Sequence, residues 1–149
     1  MNGKKLRGHT VFFENKPRIV ATSSVAGPKE CAGIIGEYVD VALNDDMYGE
    51  STFEKAECKM LSNVINGVIQ NAGFGRDEID VLFSGDLLNQ IISASFAARD
   101  FDIPFLGLYS ACSTMSEAML LSSALVNAGY CRRAVAATGS HLATAKSKF

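Results

Sequence analysis

Short apolar runs that alternate with helical segments constrain the fold of this chain more than any other feature. The runs that we interpret as strands are Asp80 to Ser84, Phe105 to Tyr109 and Arg133 to Thr138. Strands that are apolar on successive residues, and not only on alternate ones, are typical of a parallel sheet covered on both faces. The sequence therefore predicts an α/β fold of three layers, in which a mostly parallel sheet lies between helices.

A further strand is predicted near the start of the chain, at Arg18 to Ser24, where Ile19 and Val20 are β-branched. Gly27 and Pro28 follow it closely and are expected to end it. The segment from Cys31 to Asp46 stays open between helix and loop, because two glycines weaken its helical pattern.

The clearest helix is predicted to begin at Ser51. Ser51 and Glu54 have the spacing of a capping box, in which hydroxyl and carboxylate each accept an N–H group of the first turn. Apolar residues then recur at helical spacing as far as Gly73. Gly67, inside the helix, costs about 1 kcal/mol relative to alanine and indicates close packing.

We expect the carboxylate of Glu57, near the apolar stripe, to extend to a solvent-exposed rim; a buried functional carboxylate is the alternative.

Two later segments are predicted to be helices that are apolar on nearly every side, Leu87 to Arg99 and Thr114 to Asn127. A helix without a polar face is expected to be buried, so we predict that both lie in the interior. Gly129 is expected to end the second helix.

Composition excludes several classes of protein. The chain has 149 residues, 48% of them hydrophobic, and a net charge of −2, so it suits one domain and gives no electrostatic basis for binding nucleic acid. We find no signal-peptide pattern and no apolar run long enough to span a bilayer. The four cysteines form no CxxC pair, which disfavours zinc and a disulfide framework and predicts reduced thiols in a cytosol-like compartment.

Cys112 is the first candidate for chemistry. It follows a predicted strand and two small residues, and a helix is expected to begin at Ser113 or Thr114. The N-terminus of a helix favours a thiolate over a thiol. Two interpretations remain open, a functional thiol and a small buried residue, since an apolar helix follows. The other three cysteines are expected to be structural.

Polar residues follow three of the predicted strands, and the carboxyl ends of parallel strands share one edge of a sheet. They are Asp86, the run Ser110 to Cys112, and the run Gly139 to His141. Asp86 is expected to cap the following helix, with a ligand role as the alternative. His141 is either a surface or capping residue or part of a site, and it is the one candidate base for Cys112.

The stretch from Leu108 to Ser113 resembles the thiolase superfamily, which includes the β-ketoacyl carrier-protein synthases, and Asp77 to Leu82 is also similar to that superfamily. A closer resemblance is to one branch, the stage V sporulation protein AD family of spore-forming bacteria. The stretches that carry it are Arg18 to Gly27, Asp46 to Glu50 with Glu54 to Glu57, Gly85 to Gln90, Ala111 to Glu117, and Ser140-His141 with Ala143 to Ala145.

The resemblance implies the first half of a thiolase-like fold built from two similar halves. By it, residues 1–149 are an incomplete N-terminal half-domain, and the last strand of this half is expected to be missing. Thr114 stands where condensing enzymes have glycine and is expected to crowd the approach to the thiol. Because the second half supplies the groups that activate the cysteine in such enzymes, we expect no enzyme activity and interpret Cys112 as the floor of an inherited pocket.

The resemblance also implies a function, a ligand and partners. The expected function is binding of dipicolinic acid and participation in its uptake into the developing spore, without cofactor or metal. The expected ligand-binding residues are Asp86, Cys112, Ser140 and His141. Other SpoVA proteins at the spore inner membrane are the expected partners, with the protein peripheral to that membrane and homodimeric at full length. The alternative is a condensing enzyme for acyl-CoA or acyl carrier protein, with Cys112 as its acyl-accepting nucleophile.

Overall fold

The computed structural model of the protein describes residues 10–87 and 91–140. In chain order its elements are β1 (Val25–Ala26), α1 (Pro28–Cys31), β2 (Val41–Ala42), α2 (Phe53–Asn71), β3 (Val81–Asp86), α3 (Ile92–Arg99), β4 (Phe105–Gly107), α4 (Thr114–Ala128) and β5 (Ala134–Gly139). Single turns of 3-10 helix span Gly36–Tyr38, Arg76–Glu78 and Ala111–Ser113.

All strand pairs in the described residues are parallel, which confirms the predicted type of sheet. The main sheet has the order β4-β3-β5, with Leu82 opposite Phe105 on one side and Asp86 opposite Gly139 on the other. A separate pair joins β1 to β2. The strand β3 is therefore central, and its end lies between the ends of β4 and β5.

The main sheet has helices on both faces. Leu82 points toward α2 and α3, in a core with residues such as Leu61 and Ala97. Phe83, the next residue, points the other way, in a second core with Leu108 and with Ala118 of α4. The predicted arrangement of three layers in a mixed α/β fold is confirmed, because successive residues of β3 serve opposite cores.

The prediction of a first strand at Arg18 to Ser24 is wrong. The short strand β1 lies immediately after it, and Ile19 and Val20 are exposed. Ser24 explains where the pairing starts, because its N–H and hydroxyl both donate to the Asp40 carboxylate at 2.8 Å. A side chain that binds the backbone in this way competes with a strand partner.

The helix α2 agrees with the prediction except at its start. Thr52 is the capping residue, and its Oγ1 accepts the Lys55 N–H at 3.3 Å, so the predicted capping box of Ser51 and Glu54 is wrong and the cap lies one residue later. Gly73, in a left-handed conformation with φ of +74°, follows its end as predicted. The close packing predicted at Gly67 is confirmed, since a Cβ atom there would overlap the Ser23 hydroxyl.

The helix α3 begins at Ile92, not at Leu87. Asp86 extends β3 two residues beyond the prediction, and Ile91 takes a left-handed conformation with φ of +72°, which a right-handed helix cannot include.

The prediction that the two apolar helices are wholly buried is also wrong. Phe96 of α3 and Leu120 of α4 are 55% and 49% exposed, because each helix turns only one side toward the sheet.

Candidate functional site

The ends of β3 and β5 lie side by side at the carboxyl edge of the main sheet. Asp86 and Gly139 are register partners, and the Leu87 N–H donates to the Gly139 carbonyl at 3.1 Å. Ser140, an exposed residue, follows directly. The structure therefore brings together two of the four candidate ligand-binding residues, Asp86 and Ser140. A third, His141, lies outside the described residues.

Asp86 is buried, and its carboxylate is bound to the start of α3. Oδ1 accepts the Ile91 N–H at 3.2 Å, and Oδ2 accepts the Ala94 N–H at 3.1 Å. The carboxylate thus caps α3 from the end of a strand, and not from the position that precedes the helix. Its negative charge also faces the positive end of the helix dipole, which stabilises both.

Cys112 lies at the corner between β4 and α4, in the 3-10 turn before the helix. Ala111 takes a left-handed conformation there, with φ of +48°, which is unfavourable for a residue with a Cβ atom. Hydrogen bonds hold this turn, because the N–H and hydroxyl of Ser113 both donate to the Ser110 carbonyl at 3.0 and 2.8 Å. Cys112 is exposed, so the expectation of a buried residue at the floor of a pocket is wrong for this part of the chain.

Thr114 packs beneath the same corner. It is fully buried, and its hydroxyl donates to the Ala111 carbonyl at 2.8 Å. Its methyl group lies beside Gly85, where a Cβ atom would come within 2.9 Å of it. Since Thr114 is buried and Cys112 is exposed, Thr114 fills space beside β3 and does not cover the thiol, contrary to the expectation of crowding.

The start of α4 differs from the start of α3. Ser113 precedes α4, and its side chain makes no capping hydrogen bond to the helix. Met115 and Ser116, in the first turn, are exposed. The Thr114 N–H, the first of α4, already donates to the Ala111 carbonyl of the 3-10 turn that leads directly into the helix. No side chain caps this end, so the positive end of the helix dipole remains the feature that favours an anion. Glu117, partly exposed in the same turn, adds a negative charge that works against an anion.

Glu57 is buried, so the expectation that it reaches a solvent-exposed rim is wrong. It is 1% exposed, and its Oε2 accepts the Ser93 hydroxyl at 3.1 Å. Glu57 also lines a cavity of about 70 Å³ that reaches Thr138 and Ser140 at the end of β5. The position of Glu57 on the apolar stripe of α2 was the signal in the sequence. No pattern in the sequence pointed to Ser93.

The other cysteines are free thiols that lie away from this corner. Burial raises the pKa of the Cys58 thiol, and the nearby Asp100 carboxylate raises it further. Burial raises the pKa of the Cys131 thiol as well, with a smaller contribution from Asp80. Cys31, half-buried, donates to the Ala26 carbonyl at 3.4 Å. These settings suit structural cysteines, as predicted.

Within the described residues, no group of three or more histidine, cysteine, aspartate or glutamate side chains could hold a metal ion. A wide, open hollow of about 470 Å³ lies at the opposite edge of the sheet, where α3 ends and β4 begins, lined in part by Arg99 and Asp102. No helix in the described part of the chain has the length and apolar character needed to cross a membrane.

Comparison with known proteins gives two matches. The family described as "Stage V sporulation protein AD (SpoVAD)" matches residues 7–149. The chain is also 39% identical over 146 residues to the Stage V sporulation protein AD of Bacillus subtilis strain 168. That alignment covers 97% of this chain and 43% of the relative, so the chain spans less than half the length of the curated protein it matches.

Proposed function

The chain belongs to the stage V sporulation protein AD family, and on that premise we propose that it binds dipicolinic acid and takes part in its uptake into the developing spore. The proposal concerns the protein at the full length that its gene encodes. In it, the described fold is the N-terminal half of a thiolase-like protein. Asp86, Cys112, Ser140 and His141 surround the ligand at the carboxyl edge of the sheet.

The start of α4, which no side chain caps within the described residues, is the observation that supports an anion at this edge. Two helices begin there, and the Asp86 carboxylate already occupies the start of α3. The start of α4 carries no side-chain cap within the described residues, and the hydroxyls of Ser110 and Ser113 lie within 2.6 Å of each other beside it. The positive end of the helix dipole, which no side chain caps there, favours a small dianion such as dipicolinate.

Exposed apolar side chains support the proposal that the protein is a homodimer. In the described residues β4 is an edge strand, and its Leu106 is 48% exposed. Ile92 and Phe96 of the adjacent α3 are also more than half exposed. Contiguous apolar residues at a sheet edge are typical of an interface. Family membership supports the further proposal that other SpoVA proteins hold the dimer at the inner membrane of the forespore.

Isothermal titration calorimetry tests the binding proposal. Dipicolinate is titrated into the full-length protein and into its Cys112→Ala and Ser113→Ala variants, with Cys131→Ala as the matched control. Pyridine-2-carboxylate, which lacks the second carboxylate, is the control ligand. We expect heat with dipicolinate, weaker binding in the two corner variants, and wild-type binding in the control. Absence of heat with the wild-type protein would refute the proposal.

A second candidate function is acyl transfer, and the exposure of Cys112 at a strained corner favours it. In this reaction the Cys112 thiolate attacks the carbonyl carbon of an acyl-CoA thioester. Coenzyme A leaves as its thiolate, and the acyl group stays on Sγ as a new thioester. Mass spectrometry after incubation with acyl-CoA of short and long chains would show this adduct on Cys112. Its absence with every chain length would contradict acyl transfer and leave the binding proposal intact.

A further inference from the structure

Five residues form a closed set of contacts behind the carboxyl edge, which we call the edge clamp: Glu57, Asp86, Ser93, Ala94 and Gly139. The Ser93 hydroxyl donates to Glu57, and the next N–H, of Ala94, donates to Asp86, each at 3.1 Å. Asp86 is the register partner of Gly139. A Cβ atom on Gly139 would lie 3.6 Å from Cγ and Oε1 of Glu57. The edge clamp therefore links four elements, α2, β3, α3 and β5.

Glu57 is a costly residue for its position if its role is packing alone. Its neighbours on the buried stripe of α2 are Ala56 and Leu61. Removing a carboxylate from water costs several kcal/mol, and apolar residues of similar volume at such positions are often neutral or stabilising. A methionine would fill the same space. Groups whose burial opposes stability concentrate at functional sites, where they hold other groups in place.

We propose that Glu57 is a positioning residue of the dipicolinate site. Through Ser93 and Gly139 it fixes the first turn of α3 and the end of β5 relative to each other. That placement sets the position of Ser140, the residue after Gly139. This inference rests on the proposed function, since Asp86 and Ser140 are the ligand-binding residues that the edge clamp aligns.

Substitutions of Glu57 separate positioning from packing. Glu57→Gln keeps an oxygen that accepts the Ser93 hydroxyl, so we expect its dipicolinate Kd to stay within about twofold of wild type. Glu57→Met keeps the volume and loses the acceptor. We expect it to fold with an unchanged or higher Tm and to bind dipicolinate about tenfold more weakly. Glu54→Gln, on the exposed side of the same helix, is the matched control and should bind as wild type.

Calorimetry and thermal melting of the full-length variants decide the inference. Weak binding by Glu57→Met with near-normal binding by Glu57→Gln supports it, and wild-type affinity of Glu57→Met overturns it. If Glu57→Met does not fold, Ser93→Ala decides instead. About fivefold weaker binding by Ser93→Ala supports the inference, and unchanged binding overturns it.

A measurement without ligand keeps this inference separate from the proposed function. If the wild-type protein does not bind dipicolinate, the proposed function fails and hydrogen exchange decides on the edge clamp. Faster exchange of the Leu87 and Ala94 amides in Ser93→Ala, compared with Glu54→Gln, shows that Glu57 and Ser93 position the edge. Unchanged exchange of both amides overturns the inference.

Discussion

The polar side chains at the carboxyl edge of the main sheet differ in their hydrogen-bond partners and in their exposure to solvent. Asp86 is buried, and the N–H groups at the start of α3 compensate its charge. Glu57 is buried beside the same helix and accepts the Ser93 hydroxyl. Cys112 is exposed at the start of α4, where no side chain within the described residues caps the helix. Cys112 is therefore the thiol most accessible to a ligand or a reagent.

Alkylation at pH 8 is expected to modify Cys112 before Cys58 and Cys131. A thiolate attacks iodoacetamide and displaces iodide, and burial raises the pKa of the Cys58 and Cys131 thiols, which lowers their thiolate fraction at this pH. Both are also partly buried, whereas Cys112 is exposed. Peptide mass spectrometry of the native protein at timed intervals measures the order. Modification of Cys131 first would contradict the structure of the corner.

Asp80 is expected to stabilise the fold at neutral pH and not in acid. Its Oδ2 accepts the N–H groups of Arg132 and Arg133 at 2.6 and 2.9 Å. These bonds, to Arg133 first, lower the pKa of the Asp80 carboxyl in the folded state. A lowered pKa gives stability that is present above the usual aspartate pKa and is lost as the pH falls through the folded value.

Thermal melting of the Asp80→Asn variant and of the wild-type protein at a series of pH values tests this pH-dependent stabilisation. We expect a lower Tm than wild type at pH 7, with the gap closing as the pH falls below the usual aspartate pKa of about 4. Glu54→Gln is the control and should show no such closing gap. A Tm difference for Asp80→Asn that is constant down to about pH 2 would contradict the assigned hydrogen bonds.

Some helices and strands could be predicted from the sequence. They are the ones whose buried residues form a regular pattern of apolar positions along the chain. The strands β3 and β5 are continuous apolar runs, and α2 carries an apolar stripe of five turns' length, so their positions follow from the sequence. The start of α3 could not be predicted, because it depends on the Asp86 carboxylate accepting the N–H groups of Ile91 and Ala94. The length of β1 depends likewise on the contact of Ser24 with Asp40. Such contacts are made by single polar side chains at irregular spacings, so they leave no periodic pattern.

Adjacent residues of β3 should respond in opposite ways to alanine. A Cβ atom on Gly85 would overlap the Leu108 carbonyl, so Gly85→Ala must push β3 and β4 apart and should destabilise the protein by about 3 kcal/mol. Ser84 is fully buried, and its hydroxyl has no hydrogen-bond partner within the described residues. Ser84→Ala should therefore leave the stability unchanged or raise it.

Urea denaturation of both variants provides the comparison. Equal destabilisation by Gly85→Ala and Ser84→Ala would mean that the strand tolerates no substitution, and would refute the specific contact with Leu108. A stable Gly85→Ala variant would refute it as well.

At the scale of the whole molecule, one part of the candidate site could be predicted from the sequence and another part could not. The convergence of Asp86 and Ser140 follows from strand order, which parallel strands and their helices largely determine. The buried position of Glu57 could not be distinguished from a rim position, because a glutamate on an apolar stripe suits both. The exposed apolar side chains of α3 and β4 could not be foreseen either, because their sequences resemble those of buried elements.

Sedimentation analysis tests the proposed homodimer at this scale. We expect the full-length protein to sediment as a dimer and Leu106→Asp to shift it to a monomer, because a charge at the exposed edge strand opposes pairing. Ile34→Asp, at a residue that is 94% exposed outside the main sheet, is the matched control and should remain dimeric. A monomeric wild-type protein, or a dimer in Leu106→Asp, would contradict the proposed interface.

The central claim is that the uncapped start of α4 and the ends of β3 and β5 form the dipicolinate site. A crystal structure of the full-length protein with dipicolinate tests this claim most directly. We expect one carboxylate of dipicolinate at the N-terminal end of α4, beside Cys112, with Asp86 still bound to α3. A ligand bound elsewhere, with the start of α4 unoccupied, would contradict it.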